Sequence, residues 1–180
     1  MDIDQPYHEN EAIEILTKKY SSWIGSSREW MYFLWRYFLA CAKAIWRLLP
    51  EEESRHGVEI AEKYMSGLVS EDEFWYDQFQ CEEAAYQIEY DIDEVNISIW
   101  VKELEGVSQK ELGELVHPSA TIQKYKPKDL LTDAAHFANF AMTPNPLIMS
   151  LSSPVGCKIP EQYLIFLSPS ILREILLSEK

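Results

Sequence analysis

The chain has 180 residues, 47% of them hydrophobic, which is enough for one domain that buries a single core without disulfide or metal staples. Its formal net charge of −14 is concentrated: residues 1–50 carry 6 acids and 6 bases, residues 51–94 carry 15 and 2, and residues 95–180 carry 9 and 8. Such a middle segment repels phosphate backbones, so direct nucleic-acid binding is disfavoured and a basic protein partner is permitted.

Residues 1–8 read as a loose tail. Ala12, Ile13, Leu16, Tyr20, Trp23 and Ile24 then recur at helical spacing until Gly25, which predicts a first amphipathic helix. Ser26 and Glu29 form an S-x-x-E capping box, because hydroxyl and carboxylate can satisfy backbone N–H groups left free at a helix start. The second helix, Arg28 to Leu49, is apolar or aromatic almost all round (Trp30, Phe33, Leu34, Trp35, Tyr37, Phe38, Ile45, Trp46), so it is expected at the centre of a bundle, with part of its aromatic surface covered by another chain. A membrane span is disfavoured there, since Arg36 and Lys43 fall inside the only candidate window.

Pro50 suits the first turn of a third helix, followed by Glu51, Glu52 and Glu53 at the positive end of the helix dipole and by apolar Val58, Ile60, Ala61, Tyr64 and Met65 before Gly67. Ser70 and Glu73 read as a second capping box. They open a fourth helix with an apolar stripe of Phe74, Trp75, Gln78, Phe79, Ala85 and Ile88 and a strongly acidic other face.

Between Asp91 and Glu105 two patterns compete. Val95, Ile97 and Ile99 alternate as in a strand, while Val95, Ile99, Val101 and Leu104 fit a helix, which the context favours. Ser108 and Glu111 give a third box and a short helix ending before Pro118, residues 117–126 read as a loop, and Asp129 to Met142 is the next helix. Five Pro and Gly residues over 143–160 predict an irregular Pro/Ser-rich connection, a candidate hinge or binding loop. Two short helices follow, Glu161–Leu167 and Pro169–Ser178. The expected architecture is all-α: one helical domain over 1–180, a multi-helix bundle.

The cysteines Cys41, Cys81 and Cys157 show no CxxC or Cys/His spacing, and no charged segment precedes an apolar one at the start, so a reducing cytoplasm is expected. Cys41 and Cys81 sit in apolar helical stretches and read as small buried hydrophobes.

The best lead to chemistry is a pair of E-x-x-H matches, Glu53…His56 and Glu114…His117, a spacing used by carboxylate-bridged di-metal bundles. The first lies in a helix's first turn and the second beside Pro118, whereas such ligands project from mid-helix, so no metal or cofactor is expected. Asp133…His136 sits on a better helical face and reads as a hydrogen-bonded structural histidine. No G-x-S-x-G, Walker A, G-x-G-x-x-G or H-E-x-x-H pattern occurs, which removes most support for hydrolase, kinase or dinucleotide chemistry. The chain is not expected to be an enzyme.

The run Ala40-Cys41-Ala42-Lys43-Ala44-Ile45-Trp46-Arg47-Leu48-Leu49, then Glu53-Ser54-Arg55, then Val58-Glu59-Ile60-Ala61-Glu62-Lys63-Tyr64, resembles a helical domain of planctomycete-type bacteria. In that domain the run looks like A-C-C-R-R-I-W-H-L-L followed by E-R-S-R-R-A-V-E-V-A-E-R, a G-L and an acidic cap, matched here by Gly67-Leu68 and Ser70-Glu71. The resemblance covers about residues 35–75 and departs at Ala42, Lys43 and Ala44. It implies a helical fold of bacterial origin and carries no activity.

Aromatic excess beside concentrated charge points to a protein-binding adaptor or regulatory subunit, since interface anchors are typically Trp and Tyr and charged rims speed association. The candidate contact residues are Trp35, Trp46, Asp72, Trp75, Asp77, Glu82 and Glu83. A narrower alternative is an acidic inhibitor or immunity-type protein that blocks a basic nucleic-acid enzyme. A metal-dependent enzyme built on Glu53, His56, Glu114 and His117, and self-assembly through the aromatic second helix, are the remaining readings.

Overall fold

The computed structural model describes residues 11–22, 24–116, 126–142 and 159–178, and among these the chain is all-α. The helices are α1 (Glu11–Ser21), α2 (Ser27–Ala44), α3 (Glu52–Met65), α4 (Glu71–Glu89), α5 (Glu94–Glu105), α6 (Gln109–Leu115), α7 (Pro127–Met142) and α8 (Pro169–Ser178). Short 3-10 turns lie at Trp46–Leu48 and Glu161–Phe166. The tail expected over 1–8 and most of the connections expected at 117–126 and 143–160 lie outside the described residues.

The helix starts follow their local chemistry. The Ser26 hydroxyl accepts the Glu29 N–H (3.3 Å), and the Glu29 carboxylate accepts the Ser26 N–H (2.6 Å) and O–H (2.8 Å), the two bonds that hold its carboxyl below its usual range. Ser108 and Glu111 repeat this at α6. At α4 the Ser70 hydroxyl accepts from Glu73 N–H at 3.2 Å, without the return bond that would complete the expected box. Pro50 is not in the first turn of α3: the second helix ends at Ala44, the 3-10 turn intervenes, and Glu51 is the cap of a helix that starts at Glu52. The Arg55 side chain secures this junction, its Nε donating to the Leu49 carbonyl at 2.5 Å.

Helix ends at Gly67 and Asp91 share one device. Gly67 has φ +70°, with its N–H on the Tyr64 carbonyl and that of Leu68 on the Lys63 carbonyl, the paired bonds of a Schellman stop. Asp91 has φ +55° and the same pair, to Ile88 and Gln87.

The central helix is α7, not the second helix as its composition suggests. α7 packs on α2, α3, α4, α5 and both 3-10 turns. Ala134, Ala135, Ala138 and Ala141 are buried together on one side of the helix, so the neighbours packed there can approach closely. α2 buries Trp30, Phe33, Leu34, Tyr37, Phe38 and Leu39 but leaves Arg28, Tyr32 and Lys43 exposed, because large rings fill one broad face and hold neighbours off the rest. No helix of the described residues is long and apolar enough to cross a membrane. One buried cluster draws side chains from all eight helices.

α4 buries Phe74, Ala85 and Ile88 of its expected stripe but not Trp75 or Phe79. Phe74, Cys81 and Ile88, seven apart, are buried with Ala84 and Ala85, whereas Trp75 and Phe79 face outward. α5 is a helix, yet neither expected residue set is its inner face: Ile97 and Leu104 are buried with Trp100 and Val101 packed beside them, while Val95 and Ile99 are exposed. Ile24, counted in the first helical pattern, is fully exposed beyond the end of α1.

Where α3 meets α4, Ser54 is fully buried and its hydroxyl has no hydrogen-bond partner. A buried polar group without a partner costs about 1–3 kcal/mol. Ser54→Ala should therefore raise stability by about 1 kcal/mol. Urea unfolding checks this, and a lower midpoint for the variant would show that the hydroxyl is satisfied.

Candidate functional site

α4 carries two apolar faces. Opposite its buried stripe, Trp75, Phe79, Tyr86 and Tyr90 follow one another on the outer side and are 47%, 58%, 41% and 66% exposed, and Ile92, just beyond the helix, is 68% exposed. At four residues per step or seven, these positions overlie one another along about four helical turns. Scattered exposed apolar residues are ordinary, but four rings on one helix face, Trp75 and Phe79 then Tyr86 and Tyr90 with Glu82 and Glu83 between the pairs, are not. Phe79, Glu82, Glu83, Tyr86, Gln87 and Ile92 line a cleft of about 450 Å3 on this side.

The candidate contact residues separate in space. Trp75, Glu82 and Glu83 lie on or beside the outer row, with Trp75 Nε1 donating to Glu71 Oε1 at 3.3 Å. Asp72 is exposed near the start of α4. Asp77 turns inward, 3.6 Å from His56 Nε2 on α3. Trp35 is half-buried in a ring cluster with Tyr64 and Phe74 that ties α2 to α3 and α4, and Trp46 packs against the core from the 3-10 turn. The exposed Phe79, Tyr86, Tyr90 and Ile92 escaped the sequence reading. The signal was present: Phe79, Tyr86 and Tyr90 are one helical row, but Phe79 was assigned to the core.

The same stretch of α4 faces a titratable cluster on α7. Glu89 Oε2 lies 2.9 Å from His136 Nε2, and the Tyr86 ring meets the His136 ring edge-on at 5.3 Å. Asp133, the i, i+3 neighbour of His136, is pushed up to about 6, chiefly by burial; the His136 charge opposes this, and Asp129 and Glu89 add to it. Tyr163 is pushed up to about 12 by burial and by Asp133, Tyr86 and Glu89. Lys128 pairs with Asp91. The clefts described in this structure are lined by none of Asp133, His136 and Tyr163, so the cluster offers a substrate no access through them.

An acid whose folded pKa is raised destabilises the fold above that pKa and is neutral below its unfolded value near 4. Asp133→Asn should therefore match the wild type in stability near pH 4 and exceed it by about 1–2 kcal/mol above pH 6, after discounting for partial solvent access. Urea midpoints of both proteins from pH 4 to 7 read this directly. A constant gap across that range would mean that Asp133 is not held in a raised state.

The metal lead does not assemble. Glu53 and His56 are exposed on α3, Glu114 lies in α6, and His117 falls outside the described residues. Among the described residues no three His, Cys, Asp or Glu side chains come together to hold a metal ion. Cys41 and Cys81 are free and buried, each pushed up to about 12 by burial, which disfavours the nucleophilic thiolate; Cys157 is not described.

Comparison of the chain with protein-family models, with curated proteins and with solved structures finds no match.

Proposed function

We propose that this chain is a protein-binding adaptor or regulatory subunit that docks another protein on the outer face of α4. The observation that carries the reading is the set of exposed rings Trp75, Phe79, Tyr86 and Tyr90 on one face of α4, with the carboxylates Glu82 and Glu83 between them. Aromatic anchors supply apolar area at low entropic cost, and flanking charge selects and steers the partner. No catalytic role and no cofactor belong to this reading. Its setting is the cytoplasm, in keeping with buried free thiols at Cys41 and Cys81, and the resemblance of residues 35–75 supports a bacterial host.

The alternative, an acidic inhibitor of a basic nucleic-acid enzyme, draws on the charge of residues 51–94. The interleaved rings favour the adaptor, because a phosphate mimic needs carboxylates and no row of exposed aromatics.

The test is a tagged pull-down from the host at low and moderate salt, comparing the wild type with Phe79→Ala/Tyr90→Ala, both exposed positions whose loss leaves the core intact. A stoichiometric partner recovered by the wild type and lost by the double variant, with unchanged thermal unfolding, supports the reading. Recovery of the same proteins by both overturns it. A nuclease or other nucleic-acid enzyme as that partner would favour the inhibitor.

A further inference from the structure

The outer face of α4 selects more than apolar area. In the cleft of about 450 Å3, two rings, Phe79 and Tyr86, and the aliphatic Ile92 stand beside two carboxylates, Glu82 and Glu83. Glu82 and Glu83 lie three and four residues after Phe79, and Tyr86 follows them at the same spacing, so rings and carboxylates share one patch of helix surface. Among the described residues no ion pair engages Glu82 or Glu83. Two basic side chains at this end of α4 are engaged elsewhere, Lys128 with Asp91 and His136 with Glu89. The cleft therefore presents uncompensated negative charge beside π-systems.

Building on the docking reading above, we propose that this cleft receives an arginine side chain from a basic segment of the partner protein, with the guanidinium seated among Phe79 and Tyr86 and paired to Glu82 and Glu83. Arginine fits where lysine does not. Its planar guanidinium is weakly hydrated, lies against aromatic rings and bonds a carboxylate with two N–H groups at once, whereas an ammonium is a strongly hydrated point charge. Charge decides the class of occupant. A second copy of this chain would bring another net charge of −14 and its own Glu82 and Glu83 to the same place, and lipid headgroups with anionic phosphates are repelled by both carboxylates.

The experiment uses the full chain and three synthetic peptides of identical leucine-containing sequence whose basic positions are all arginine, all lysine or all citrulline, the last keeping the shape of arginine without its charge. Calorimetry should show the arginine peptide binding about 10-fold or more tighter than the citrulline peptide and several-fold tighter than the lysine peptide, in line with a charge-assisted paired contact. Glu82→Gln/Glu83→Gln should weaken arginine-peptide binding about 10-fold, while Glu52→Gln/Glu59→Gln, which removes the same charge from exposed positions of α3, should change it less than about twofold. Tyr86→Leu, which keeps apolar bulk and removes the ring, should abolish the preference for arginine over lysine. Equal losses from the two double variants would reduce the effect to general attraction by an acidic surface and overturn the proposal, as would equal affinity for arginine and citrulline peptides. A concentration-dependent dimer in sedimentation that dissociates on Tyr86→Leu would overturn it in favour of a second copy. Loss of the native partner on Phe79→Ala/Tyr90→Ala without any arginine preference would overturn this inference alone and leave the docking face standing.

Discussion

Gly57→Ala is expected to destabilise the protein by about 2–3 kcal/mol, although helix propensity alone predicts a gain of about 1 kcal/mol from the same change. Gly57 sits inside α3, is buried, and faces α4 and α7. A Cβ there would lie 2.5 Å from Met142 Sδ and 2.9 Å from Cys81 Cβ. The Met142 end can swing aside; the Cys81 Cβ is fixed to the α4 backbone, so the helices themselves must part. This is the point where α3, α4 and α7 converge, which spreads the strain through three elements. Chemical denaturation decides the matter by sign: a midpoint that rises would mean the approach is loose enough to relax. Gly57→Leu, with three more carbons to place, should not fold.

Phe137→Ala should cost about 3–5 kcal/mol, the range for deleting a buried ring and leaving a cavity. Phe137 is fully buried on α7, with ring centroids 5.2 Å from Phe166, 5.7 Å from Tyr163 and 6.2 Å from Phe140. Tyr163 and Phe166 lie on the Glu161–Phe166 turn, so the cavity would open where that turn is fastened to the centre of the bundle. Limited proteolysis should accordingly cleave near residues 159–167 in the variant well before it cleaves the wild type. A loss below about 1 kcal/mol would show that neighbouring rings collapse into the space.

Much of the fold was legible because its signals are local. The pairs Ser26/Glu29 and Ser108/Glu111 mark helix starts through groups three residues apart, and Gly67 marks a stop through its own backbone freedom. Faces were harder. α4 has apolar residues on opposite sides, so periodicity cannot say which side meets α7: Phe79 was placed in the core stripe, and Ala84, which is buried, was not. Size misled in the same way for the centre of the bundle. The rings of α2 drew attention, yet the alanines of α7 decide centrality, since a small side chain lets a neighbour come near and a large one holds it away. Of the candidate site, Trp75, Glu82 and Glu83 were legible as exposed types on one helix. The rest of the row was hidden by the core assignment, and the pairing of Glu89 with His136, 47 residues apart, has no local signature.

α1 packs on α8, and Arg173 of α8 pairs with Glu11 of α1. About 150 residues separate the two helices, so during synthesis at roughly 5–20 residues per second α1 waits on the order of 10 seconds for its mate. For that interval α1 has no α8 to pack against, so this contact can form only after all the residues between the two helices have been made.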